Sequence, residues 1–159
     1  MKKVRVISTA AMLALLSVGS MTFTSCTKDE DCTLGYEGSN CDVEIREQMI
    51  GIYDAVDTRT SDQFTKTYVP VITKNATVTV VNIQEFGDFF EGVSELVTSN
   101  VTKAGDVISF TIPSQKPDGE NNVSGDGSYN VKTRKLTINY GLSDGTNINN
   151  YTGTWTKRQ

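Results

Sequence analysis

Side chains that do chemistry are sparse in this chain and unevenly placed. None of the 159 residues is histidine, which removes the commonest general base and a frequent metal ligand. The three cysteines, Cys26, Cys32 and Cys41, crowd into sixteen positions, and the 118 residues after them carry none. Glu91 and Glu95 are spaced to face one way on a strand, as a glycosidase carboxylate pair would. A solvated strand face is the better reading of that spacing. Asp118, Glu120 and Asp126 lie in the polar run "DGENNVSGDG". A calcium loop asks for a stricter alternation of acidic ligands than this run offers, so it reads as a turn-rich loop. No G-x-S-x-G, phosphate-binding loop or zinc spacing occurs. The expectation is a protein without catalysis, metal site or cofactor.

The segment that must position the cysteines begins with a basic stretch, Lys2, Lys3 and Arg5. An apolar run centred on Ala10 to Val18 follows, and then small polar residues. That layout is a secretory signal peptide, and the run is short for a membrane span. Residues 1–25 are therefore read as a leader, whose removal leaves 134 residues, enough for one domain. The leader holds three basic residues and no acidic one, so its loss takes the net charge from −4 to −7. An acidic chain argues against nucleic acid as a partner.

Phe23, Thr24 and Ser25 before Cys26 resemble a bacterial lipobox, although Phe stands where Leu is usual. "CTKDED" after it resembles the lysine-plus-acidic export signal of surface lipoproteins in Bacteroidetes. This resemblance implies a diacylglycerol on Cys26 and a place on the outer membrane, facing outward. Acylation would also consume a thiol that is a liability on an exported chain. Cys32 and Cys41 are then an even pair in an oxidising compartment. Their segment, C-x-x-G-Y-x-G-x-x-C from Cys32 through Gly35, Tyr36 and Gly38 to Cys41, resembles the last loop of an epidermal-growth-factor-like module. The earlier cysteines of such a module are missing, so residues 26–41 are read as anchor, acidic tether and stapled loop.

Residues 42–159 form the main domain. "DVEIREQMIG" suggests a short helix with Ile45 and Met49 on one face. Eight strand candidates follow, near 50–57, 64–73, 77–86, 89–98, 106–113, 122–132, 135–142 and 147–157. They are rich in Thr, Val, Ile, Tyr and Phe. Leu136, Ile138, Tyr140 and Leu142 alternate with polar residues, so one face is buried and one is wet. "TVTVVNIQEF" changes phase between Val80 and Val81, which suggests a bulge. Ser143 to Thr146 carries the Asp-Gly pair of a tight hairpin. Hairpin-length connections predict an all-β antiparallel meander, and closing it into an eight-stranded up-and-down barrel removes its edges. A two-sheet sandwich is the alternative. "MIGIYDA", with Gly51 and Tyr53, resembles the first-strand start of lipocalin and calycin barrels. The whole layout resembles small calycin-like lipoproteins of gut Bacteroidetes.

Eight strands leave an interior that side chains just fill, or that holds one small ligand. Tyr53, Tyr68, Phe110, Tyr140 and Trp155 are the candidate lining residues for an apolar or amphipathic ligand. They are equally candidates for ordinary core. Two functions stay open. One is a binding module with a ligand in its barrel. The other is a protein- or glycan-interaction module with a filled core.

Overall fold

The structure, a computed structural model, describes residues 32–90 and 95–159. The expected leader and the expected lipid site at Cys26 lie outside the described residues. Cys32 and Cys41 are disulfide-bonded, with their Cα atoms 5.3 Å apart. Gly35 and Gly38 take φ of 94° and 90° within this loop, a region that glycine enters without the Cβ penalty. The loop is flanked by a small ribbon in which β1 (Tyr36–Glu37) pairs with β2 (Val43–Glu44). A single 3-10 turn, Ile45–Gln48, stands where the short helix was expected.

The barrel itself runs β3 (Gly51–Arg59), β4 (Thr65–Tyr68), β5 (Val71–Lys74), β6 (Val80–Gln84), β7 (Val97–Ala104), β8 (Val107–Gln115), β9 (Asn122–Asn130), β10 (Lys135–Ser143) and β11 (Ile148–Lys157). Each strand is antiparallel to its neighbours, and β11 pairs back onto β3 from Tyr151↔Arg59 to Lys157↔Tyr53. β4 and β5 both pair with β3 on either side of Val69–Pro70. Proline has no N–H to give the ladder, and the Pro70 carbonyl instead accepts a hydrogen bond from Tyr53 N at 3.0 Å. Counted as one interrupted strand, β4 and β5 complete a closed eight-stranded up-and-down barrel. The β11–β3 seam rules out the two-sheet sandwich.

Two local expectations differ from the structure. The candidate near 89–98 is displaced, because the strand there is β7 (Val97–Ala104) and residues 86–90 form a tight turn with a Phe86↔Phe90 bridge. The predicted phase change at Val80 is absent. β6 alternates regularly with Val81 and Ile83 buried, and the register shift lies in β8 between Ile112 and Gln115.

The connections divide between two ends. The loops after β3, β6, β8 and β10 share one end, called here the mouth. The turns after β5, β7 and β9 share the other, the base, with the N-terminal module. Gly35 lies against Val78 and Thr79, and Glu37 pairs with Lys103. Arg46, 4% exposed, closes the base. Its guanidinium donates to the carbonyls of Asn75, Thr77 and Val80 at 2.6–2.9 Å and pairs with Glu44 at 2.8 Å.

Candidate functional site

Alternation along β3 turns Tyr53, Ala55 and Asp57 inward. Asp57 is therefore a carboxylate inside the barrel, 1% exposed. Three neutral donors from three other strands converge on it. Tyr68 Oη on β4 and Tyr140 Oη on β10 donate to its Oδ2 at 2.6 and 2.8 Å. Trp155 Nε1 on β11 donates to its Oδ1 at 2.9 Å. Gly153 leaves room for this group, since a Cβ there would fall 2.1 Å from Asp57 Oδ1. Burial pushes the Asp57 carboxyl above the ordinary carboxylate range, against the pull of these donors. Burial and the adjacent Asp57 charge likewise push the Tyr68 and Tyr140 hydroxyls upward, so both remain donors.

Rings stack around this carboxylate from base to mouth. Tyr129 meets Tyr53 edge-on at 6.3 Å, and Tyr53 meets Trp155 at 6.3 Å. Trp155 meets Phe86 at 5.8 Å, Phe86 meets Tyr140 at 4.8 Å, and Tyr140 stacks on Tyr151 at 5.0 Å. Edge-to-face and offset-stacked pairs at such distances add to simple burial. The candidate lining residues Tyr53, Tyr68, Tyr140 and Trp155 are thus brought together. Phe110 is buried elsewhere in the core, beside Gly127.

Asp57 and the segment Phe86–Phe90 were not among the residues expected at a site. The signal for Asp57 was present, because it is the one charged residue in the inward phase of "YDAVD". Phe86 and Phe90 are fully buried, and Phe89 packs on Tyr151 at 5.6 Å. Lys66 fixes this segment over the mouth. Its ammonium donates to the carbonyls of Gly87 and Asp88 and lies 4.0 Å from the Phe89 ring centroid. Glu85 and Asp88 hold φ of 55° and 56°, a conformation that non-glycine residues adopt at a cost.

The outer wall carries a shallow depression of about 350 Å³ across β9, β10 and β11. By alternation Ser124, Asp126, Asn139, Asn150 and Thr152 face outward there, with Gly141 between them. Asp118, one of the acidic residues weighed for calcium, instead accepts from the Glu120 and Asn121 amides of its own loop. Glu91 lies outside the described residues. In comparison with known proteins, the chain matches no protein-family model, no curated protein and no solved structure.

Proposed function

We propose that this protein is a non-catalytic binding module, held on the outward face of the outer membrane by lipid on Cys26, that meets its partner with the outside of a filled barrel. The observation that carries this reading is the run of rings from Tyr129 to Phe89. It takes up the barrel axis around Asp57 and Trp155. The anchor and its address rest on the resemblance of "FTSC" and "CTKDED" to surface lipoproteins of Bacteroidetes. The competing reading places an apolar or amphipathic ligand among Tyr53, Tyr68, Phe110, Tyr140 and Trp155. It requires Phe86 and Phe90 to leave the barrel, which exposes two large apolar side chains to water.

Trp155 is the only tryptophan, so its fluorescence reads the interior directly. Titration of the purified protein with fatty acids and bile-acid-like amphiphiles is expected to leave its emission unchanged. A saturable shift or quenching of Trp155 overturns the filled-barrel reading and puts the ligand inside.

A further inference from the structure

The outer face contains a glycine that the fold does not require. Three glycines of the same sheet are needed where they stand. A Cβ at Gly125 would fall 2.4 Å from the Asn139 carbonyl oxygen. At Gly127 it would fall 2.2 Å from Phe110, and at Gly153 it would fall 2.1 Å from Asp57. Gly141 is different. Its φ is not in the left-handed region, and a Cβ would meet only the flexible end of Asn150 at 3.3 Å and Ile148 at 3.7 Å. Glycine within a strand weakens it and commonly marks a place where a ligand or another backbone comes close. At Gly141 no backbone among the described residues does so. Its bare main chain forms the floor of the 350 Å³ depression.

The walls of that depression specify a chemistry. The side chains of Asp126, Asn139 and Thr152 make no hydrogen bond to another described residue. Together they offer a carboxylate, a carboxamide and a hydroxyl, which supply both donors and acceptors. Ile148 at the rim is 69% exposed, an apolar surface beside a polar floor. A row of polar groups flanked by one apolar side chain matches a sugar ring, whose hydroxyls project around its edge and whose C–H bonds form a face. The volume lies at the small end of ligand pockets, about one or two sugar rings. Asp126 is the only charged group in the lining. Together with the negative net charge it disfavours anionic glycans.

We propose that the depression around Gly141 is a binding site for neutral oligosaccharides, which deepens and rests on the reading of the protein as a filled-barrel binding module. Being open and wet, the site binds weakly, because each polar group exchanges water for sugar hydroxyl. The experiment is an NMR titration of the full chain in detergent with neutral oligomers of glucose, mannose, xylose and N-acetylglucosamine, at millimolar concentration. At least one series is expected to shift the amides of residues 124–126, 139–141 and 150–152. Gly141→Leu, which fills the floor, is expected to abolish those shifts. Asp126→Asn and Asn139→Ala, both on the exposed face, are expected to weaken binding about tenfold each, the equivalent of a hydrogen bond or two. Absence of shifts with every series overturns the glycan site. So does a shift that persists in Gly141→Leu, and so does a shift elsewhere on the outer wall. A silent Trp155 in the amphiphile titration would then leave the filled-barrel reading standing. A sugar-induced change centred on the Trp155 indole overturns both.

Discussion

At the scale of single residues, Asp57 decides most. It ties β3 to β4, β10 and β11 through three neutral donors. Replacing it with Leu leaves the hydroxyls of Tyr68 and Tyr140 and the indole of Trp155 without an acceptor, at about 1–3 kcal/mol each. Asp57→Asn keeps the shape and an acceptor oxygen, and it removes a proton equilibrium. The unfolded carboxyl titrates at about 3.9, and burial raises it in the folded protein. Between the two values the folded state holds a proton that the unfolded state has lost, so Asp57 withdraws stability as pH rises through that window. A carboxamide does not titrate, so the unfolding free energy of Asp57→Asn should gain on the parent from about pH 4 upward and then level off. Urea denaturation across an acid-to-neutral pH series checks this, and parallel curves would remove the raised carboxyl from the account. Glycines give a second contrast. Gly153→Ala forces a methyl onto Asp57 and Ile138 and should cost about 1–3 kcal/mol or more by overpacking. Gly141→Ala should leave stability unchanged or raise it by about 0.4–1 kcal/mol, since it only narrows the unfolded ensemble. Equal losses at the two positions would show that the fold does need Gly141.

At the scale of elements, the barrel is closed at its base by the N-terminal module and at its mouth by Phe86–Phe90. The base rests on Arg46. Its partners are three main-chain carbonyls of the β5–β6 region and the carboxylate of Glu44. Arg46→Ala leaves the partly buried carbonyls of Asn75, Thr77 and Val80 without this donor, at about 1–3 kcal/mol for each left unsatisfied, while Glu44 keeps Lys74; the loss is readable as a lower denaturation midpoint. Replacing Cys32 and Cys41 with Ser opens a loop of about ten residues and should cost about 2.5–3 kcal/mol by the chain-entropy account. Combining this change with Arg46→Ala tests whether the stapled loop acts on the barrel through the base: a sum smaller than the separate losses shows coupling. Strand alternation made most of this architecture legible in the sequence. "KLTINYGL" and "YTGTW" point inward at the residues now found in the core. The mouth was not legible. "EFGDFF" is as apolar and aromatic as a strand, and only the left-handed Glu85, Gly87 and Asp88 turn it into a plug. Gly87 and Asp88 marked the break between the strand candidates at 77–86 and 89–98, but nothing local showed that Phe89 and Phe90 belong to the turn instead of opening the next strand. Arg46 was hidden for a related reason, since its acceptors are carbonyls from distant turns and not side chains with a sequence signature. The outer-wall depression was hidden because it is made by an absent side chain at Gly141 on an otherwise ordinary polar face.

At the scale of the whole molecule, the positions of the two ends give the proposed anchor a direction. The N-terminal module packs on the base, through Gly35 against Val78 and Thr79 and through Glu37 with Lys103. A lipid on Cys26 would be joined to Cys32 by a stretch whose contour is at most ~20 Å, at 3.3–3.6 Å per residue. Strands of nine or ten residues such as β10 and β11 are roughly 30 Å long before tilt. With that anchor the base would stay near the membrane, and the mouth and the upper part of the outer wall, where Gly141 pairs with Ser124 and Asn150, would be carried outward. Single cysteines read this geometry. Asp144→Cys lies in the β10–β11 turn at the mouth, and Lys132→Cys lies in the β9–β10 turn at the base. Both parent side chains are exposed and lie outside the core. A membrane-impermeant maleimide applied to intact cells should label Asp144→Cys, and a bulky version of the same reagent should label it faster than Lys132→Cys. Mass spectrometry of the extracted parent should show acyl mass on Cys26. Labelling of both positions only after lysis would place the protein on the inner leaflet. Equal rates with the bulky reagent, with acyl mass present, would mean that the tether does not hold the base toward the membrane.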